Sequence, residues 1–292
     1  MKRKKHGFLI GFSVVILCIA FLFVGGYFVL DKSVVPKYFG EYGINNMGDL
    51  VGMMKTLYSS PSEDKLVKNK FSILDLESGE EKLKKVFPTK ENSTDLDYNA
   101  IADGKDKDGV VYPLVIAFTD KEIASVVDKM LDMGVLIKKL PNLEYIDTLK
   151  INILDLIISP EEIEEDGIEK ASIHALFKVD TTGIREQMAQ EMGINMFLLK
   201  MIIPEVMYLS LDYTLELTND DWVYSEGNVS VNGRTAKQSE ILMNLLISFI
   251  FPVEDEMSLE KLTIEFGNIL QYGLDLIGQV EYVKNGIIAT IY

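Results

Sequence analysis

The two histidines are the side chains of this sequence best suited to acid–base chemistry, and neither lies in a recognisable catalytic motif. His6 lies among N-terminal cations, and His174 lies in an alternating segment typical of a strand. Alternation places His174 on the same side of that strand as Ser172 and Leu176, so a Ser-His-acid triad would need an unspecified distant partner. The sequence therefore predicts an ordinary sheet residue at position 174 and no catalytic residue.

Two acidic segments are the candidates for binding a metal ion. Residues 103–109 superficially resemble a calcium loop, but placing Gly109 at the sixth position of an EF-hand puts Gly104 and Val115 where acidic ligands are required. Residues 161–166 are rich in glutamate but lack the Asp/Asn-Gly spacing that wraps a chain around calcium. Both segments are typical of solvated hairpin turns, so we predict no metal and no cofactor.

The most informative segment is residues 8–30, a run of 23 uncharged residues that follows four N-terminal cations. A helix of this length rises about 34 Å at about 1.5 Å per residue, enough to cross a hydrocarbon core of about 30 Å. The cations predict a cytoplasmic N-terminus. A signal peptide is disfavoured because its apolar core is at most about 15 residues long, although cleavage after Gly26 stays open. Leu17 before Cys18 disfavours lipid attachment.

This anchor divides the chain into four predicted regions. They are a basic cytoplasmic tail (1–6), a transmembrane anchor (7–30), a juxtamembrane connector (31–46) and an extracytoplasmic domain (47–292). The formal charge of the chain is −16, so removing the four N-terminal cations leaves about −20 outside the membrane. Such a surface argues against binding nucleic acid or anionic headgroups. The only cysteine lies within the apolar run, so the outer domain needs a packed core instead of disulfides.

Periodicity and capping patterns predict an α+β domain of long antiparallel strands with helices packed on one face. A helix begins near Asn46, residues 66–76 are extended, and Ser78 with Glu81 forms a capping box for a short helix. Strands are predicted over residues 95–102, 110–118, 149–158, 171–179, 206–217, 222–231, 279–283 and 286–292.

The clearest local signal of the outer domain is a helix that begins after Thr119. Thr119 and Glu122 form a capping box, Phe118 can pack against Ile123, and Gly134 supplies a C-terminal stop. Later helices are predicted over residues 182–193 and 236–251 and from residue 258. The order strand, Thr-containing cap, helix, Met-Gly and strand occurs in residues 110–158 and again in 171–217, which suggests a duplication.

Two short helical segments are unusually apolar. Residues 241–251 contain nine apolar residues of eleven, and residues 194–203 contain eight of ten. A helix that is apolar on most faces must be covered on most sides, so each segment either fills a core or lines a groove for an apolar ligand. The candidate groove residues are Met196, Phe197, Met201, Leu242, Leu245, Leu246 and Phe249.

The anchor, strand–helix units such as residues 115–122 (VIAFTDKE), and long strands beside apolar helices resemble bacterial membrane-anchored proteins of the AsmA-like and TULIP-type lipid-groove families. The resemblance covers residues 95–292 in element order only. It implies a curved sheet and helices that enclose a hydrophobic channel, with lipid binding or transfer at the cell envelope. No residue-specific motif supports it, so no family site is carried over.

These observations favour a non-enzymatic, single-pass membrane protein whose extracytoplasmic domain binds a lipid or other apolar ligand. The alternative is an interaction module of an envelope complex, which would have a filled core and an exposed apolar patch. An unrecognised hydrolase that uses a pair of carboxylates stays open, because acidic residues are plentiful.

Overall fold

The computed structural model describes residues 27–40, 44–58, 62–136, 150–161, 169–191, 196, 200, 204–218, 221–233 and 279–291. A π-helical turn, Leu30–Val34, precedes the first helix. The helices are α1 (Val35–Phe39), α2 (Met47–Tyr58), α3 (Glu63–Leu66), α4 (Ile73–Leu83), α5 (Tyr98–Ala102), α6 (Asp120–Asp132) and α7 (Thr182–Glu191). The chain divides into two compact units, residues 1–55 and 56–292.

The strands form two sheets in which every pairing is antiparallel. The strands are β1 (Leu114–Thr119), β2 (Lys150–Pro160), β3 (Lys170–Asp180), β4 (Val206–Thr218), β5 (Asp221–Val231), β6 (Gln279–Val283) and β7 (Gly286–Ile291). One sheet has the order β2-β3-β4-β5, and the other has the order β1-β7-β6. The predicted α+β class with long antiparallel strands is thereby confirmed.

The junction between β1 and α6 has the predicted capping geometry. The Thr119 hydroxyl accepts the Glu122 N–H at 3.2 Å, and the Glu122 carboxylate accepts the Thr119 N–H at 2.8 Å. Gly134 has a φ of +67°, which suits the residue that ends a helix. Helix α6 packs against both α4 and β2, so this local signal places a helix on the four-stranded sheet.

Two predictions between residues 66 and 102 are wrong. The segment 66–76 is not extended throughout, because α4 begins at Ile73 with a capping box formed by Ser72 and Asp75, and Ser78 lies inside that helix. The predicted strand 95–102 is instead the short helix α5. The Asp97 carboxylate accepts the backbone N–H groups of Asn99 and Ala100, which favours a helical turn over extended backbone.

Several predictions fall on residues whose structure is not described. Residues 8–26 of the predicted anchor and both predicted helices after residue 235 are among them. Of the helices formed by the described residues, none is long and apolar enough to cross a membrane. The strands of the two proposed repeats are arranged differently, since β3 pairs with β4 whereas β1 and β2 lie in separate sheets. The duplication stays a prediction.

Candidate functional site

Of the seven predicted groove residues, the structure describes only Met196. Met196 is helical and half-buried. The other six candidates, Phe197, Met201, Leu242, Leu245, Leu246 and Phe249, lie outside the described residues.

One face of the four-stranded sheet is a continuous apolar surface. Along β3 every second residue is buried, from Ala171 at one end to Val179 at the other. Antiparallel register sets Ile173 opposite Tyr213 and Ala175 opposite Leu211. Residues paired directly across strands lie side by side on one face, so these residues make a buried apolar wall, which Tyr282 of β6 approaches at Tyr213.

The opposite face of the same sheet is polar and carries an open pocket of about 430 Å³. Two adjacent cross-strand rows build it. The first row contains Ile157, His174, Asp212 and Asn228, and the second contains Ser159, Ser172, Thr214 and Glu226. The alternation of the strands therefore gives this end of the sheet one apolar and one polar face, while Leu176 further along β3 is buried on the polar side.

His174 forms a cross-strand pair with Asp212 in this pocket. Nδ1 of His174 lies 2.6 Å from Oδ1 of Asp212, and since a carboxylate accepts, we assign the Nδ1 hydrogen to this bond. The Ser172 hydroxyl donates instead to Glu161. Among the described residues no hydrogen bond joins a serine or threonine hydroxyl to His174, so the pair has no nucleophile positioned on it.

A second polar cluster holds the segment before α4 against β2. Asp155 is fully buried at a β-bulge, and its carboxylate accepts the N–H groups of Lys68 at 2.6 Å and Asn69 at 3.1 Å. Burial raises the pKa of the neighbouring Asp120, against hydrogen bonds that include one from the Asn69 side chain. Since the partners of Asp155 are backbone groups, this cluster holds residues 68 and 69 against β2.

Sequence reasoning placed His174 correctly in a strand but missed its partner. Asp212 lies 38 residues later, and only the β3–β4 register brings the two side chains together. No local pattern carries that information. Within the described ranges, no three His, Cys, Asp or Glu side chains are grouped so that they could hold a metal ion.

The chain matches no protein-family model, no curated protein and no solved structure.

Proposed function

We propose that this chain is a single-pass membrane protein whose extracytoplasmic domain binds a lipid or other apolar ligand without catalysing a reaction. The anchor is supported by the uncharged run 8–30. It is also supported by the last four residues of this run, which the structure describes. Tyr27, Phe28, Val29 and Leu30 are consecutive large apolar residues that are 42–62% exposed. Exposing such a run to water is unfavourable, and a bilayer relieves that cost.

The observation that carries the binding proposal is the continuous apolar wall on β2, β3 and β4. In this proposal the wall forms one side of a groove, and the apolar segments 194–203 and 241–251 form the other. The proposed relation to AsmA-like and TULIP-type proteins belongs to the same hypothesis, because a curved sheet and helices enclose a channel in those families. Methionines in segment 194–203 suit a groove that accepts varied acyl chains.

Photo-crosslinking tests this function directly. Full-length protein in lipid nanodiscs would be illuminated with a diazirine-labelled fatty acid, and the labelled residues would be mapped by mass spectrometry. We expect labels on β3, β4 and the two apolar segments. Labelling confined to residues 8–30 would contradict the proposal.

A space-filling substitution at Ala175 separates a groove from a filled core. In a groove, Ala175→Leu would block fatty-acid labelling with little loss of stability. In a filled core, the extra methyl groups would destabilise the fold by about 1–3 kcal/mol. His174→Leu is the matched control, because it places the same side chain on the opposite face of β3.

An interaction module is the second candidate, and a specific observation favours it. Ile73 and Leu74 on α4 are 64% and 70% exposed, and Val111 and Val115 around the start of β1 are 83% and 63% exposed. Exposed apolar side chains are common at protein interfaces. In-cell crosslinking from positions 74 and 111 should recover a protein partner if this function is correct, and recovery of none would count against it.

A further inference from the structure

One half of the polar face of the four-stranded sheet is covered by the chain itself. Lys178 and Tyr208 are direct cross-strand partners on this face. The Glu63 carboxylate of α3 lies 3.0 Å from Lys178 Nζ and accepts the Tyr208 hydroxyl at 3.3 Å. An acidic residue of α3 therefore docks on this half of the face through a basic side chain of the sheet.

The other half of the same face is open to solvent and has the opposite charge. It carries the pocket of about 430 Å³, whose lining includes Asp212 and Glu226. No lysine or arginine is among the described residues that line this pocket. The Asp212 side chain is 58% exposed, and Glu226 is also exposed. We call this region the acidic half of the face.

The ionisable side chains of the acidic half offer hydrogen-bond acceptors. Since Nδ1 of His174 donates to Asp212, Nε2 of the same ring is left with a lone pair. The carboxylates of Asp212 and Glu226 can only accept when they are ionised. A complementary partner must therefore supply donors and positive charge. A lysine ammonium supplies both, because it has three donors and no acceptor.

The row next to the pocket adds an ion pair and an exposed apolar side chain. Lys170 Nζ lies 3.4 Å from the Glu216 carboxylate, so this lysine is already matched by an acid. Glu216 is paired across strands with Val223, which is 50% exposed, and half-buried Ile157 lines the pocket. Apolar surface beside carboxylates suits lysine, whose aliphatic stem can pack while its ammonium reaches an acceptor.

The charge of the whole chain limits which partner would bind to the acidic half. The formal net charge is −16, so a second copy of the chain, an anionic membrane surface and a nucleic acid would all be repelled. A protein segment that carries lysine side chains would instead be attracted. Its charge and its aliphatic stems both match what this half of the face exposes.

We propose that the acidic half of this face docks a lysine-bearing segment of another protein. The acidic residue Glu63 covers the half that carries Lys178, and a basic segment would cover the acidic half in the corresponding way. This interaction goes beyond the proposed binding of an apolar ligand. It uses the opposite face of the sheet and does not depend on that function.

Two peptides that differ only at their lysine side chains test this assignment. A rhodamine-labelled peptide of alternating lysine and threonine would be titrated with full-length protein in phosphatidylcholine nanodiscs, with empty discs as background. Fluorescence anisotropy would measure the binding. We expect the same peptide with acetylated lysines to bind at least about tenfold more weakly, because acetylation removes the positive charge.

A double variant with a matched control locates the binding surface. Asp212→Asn together with Glu226→Gln removes both carboxylates of the pocket and keeps the side-chain shapes. We expect the unacetylated peptide to bind about five- to twentyfold more weakly, because two exposed ion pairs are lost. Glu77→Gln together with Glu281→Gln removes two exposed carboxylates from α4 and β6 instead. We expect this control to change the affinity by less than about twofold, because salt screens distant charges.

Equal binding of the two peptides to the unmodified protein would overturn the proposal, and this comparison decides the question even if a variant fails to fold. An equal loss of affinity in the two double variants would also overturn it, because the attraction would then be general. Displacement of the peptide by n-butylamine at the peptide's own dissociation constant would indicate a site for small amines and overturn the partner class. Self-association that the Asp212 and Glu226 double variant abolishes would identify a second copy as the occupant and overturn it as well.

Discussion

Two strand–helix junctions of this protein bury an ion in opposite ways. At the β1–α6 junction, Glu122 is 5% exposed and accepts Lys82 Nζ at 2.6 Å, the Ser78 hydroxyl and the Thr119 N–H. At the β3–α7 junction, Arg185 is equally buried, yet its nearest polar side-chain contact is 3.4 Å away. Each helix follows a strand through a threonine, so the same local plan produces a closely paired charge and a loosely paired one.

The difference separates a charge that close hydrogen bonds stabilise from one that has only long contacts. Burial alone would raise the pKa of Glu122, but its hydrogen bonds with Lys82, Ser78 and Thr119 outweigh that effect and lower it. The fold therefore stabilises the ionised form of Glu122 by itself. Arg185 receives no comparable stabilisation from the described residues, because its contacts with Thr182 and Glu205 are 3.4 Å and 3.7 Å long.

The largest effect on stability should come from Gly286→Ala, which disturbs the β1–α6 junction, where Glu122 is paired. A Cβ at position 286 would lie 2.1 Å from the Phe118 carbonyl oxygen and 3.0 Å from the Thr119 Cα. Because the backbone of Phe118 and Thr119 must move to make room for this carbon, we expect a loss of about 3–5 kcal/mol in the free energy of unfolding. Urea unfolding can be followed through the only tryptophan, Trp222, whose ring packs edge-on against Tyr282 at 4.5 Å. Gly52→Ala, where nothing lies within 4 Å of the added carbon, is the control.

The next largest effect on stability should come from Glu122→Gln. This substitution removes a buried charge and leaves Lys82 unpaired, so we expect a loss of about 2–3 kcal/mol in the free energy of unfolding at pH 7. The pKa of Glu122 is lower in the folded protein, so its stabilisation is present above the unfolded value of about 4.3 and is lost as the pH falls through the folded value. The difference in the free energy of unfolding between the unmodified protein and Glu122→Gln should therefore decrease as the pH is lowered. A gap that is constant from pH 7 to pH 3 would contradict this assignment.

Arg185→Met should have a much smaller effect on stability. Replacing a loosely paired buried cation by an apolar side chain of similar length removes a desolvation penalty, so we expect the free energy of unfolding to change by less than about 1 kcal/mol, or to increase. The same urea titration measures it, in lipid-free conditions so that bound ligand does not contribute. A loss as large as that of Glu122→Gln would show that Arg185 stabilises the fold, and the contrast between the junctions would disappear.

The smallest effect concerns Asp128, a third carboxylate near these helices. Burial raises the pKa of Asp128, although its carboxylate accepts Asn152 Nδ2 and the Ile153 N–H, each at 3.1 Å. A raised folded pKa means that this group favours folding more as the pH falls from neutral towards about 3.9. Asp128→Asn should remove that pH dependence and change stability at pH 7 by less than about 1 kcal/mol. Thermal unfolding of both proteins between pH 4 and pH 7 would measure it.

Only part of the contrast between the two junctions could be predicted from the sequence. The Thr119–Glu122 capping box is a local pattern, and it correctly predicted the start of α6. The pairing of Glu122 with Lys82 was not predictable, because the two residues are 40 positions apart. Arg185 lies in a polar helix without any motif, and its burial depends on tertiary packing.

The wrong predictions had a local cause. Ser72 and Asp75 form the capping box of α4, whereas the sequence reading chose the similar pair Ser78 and Glu81 six residues later. Residues 95–102 were predicted to be the strand before the turn 103–109, but the Asp97 carboxylate caps a five-residue helix instead. In both places, side-chain hydrogen bonds to the backbone determine where a helix begins.

The composition of the lipid that the protein carries tests the central claim most directly. Full-length protein would be extracted from its membrane with a styrene–maleic acid copolymer, and bound lipid would be quantified by mass spectrometry against the bulk membrane. We expect a lipid or another apolar ligand to be enriched on the unmodified protein, and we expect this enrichment to be lost in Ala175→Leu. A lipid profile identical to the bulk membrane in both proteins would contradict it.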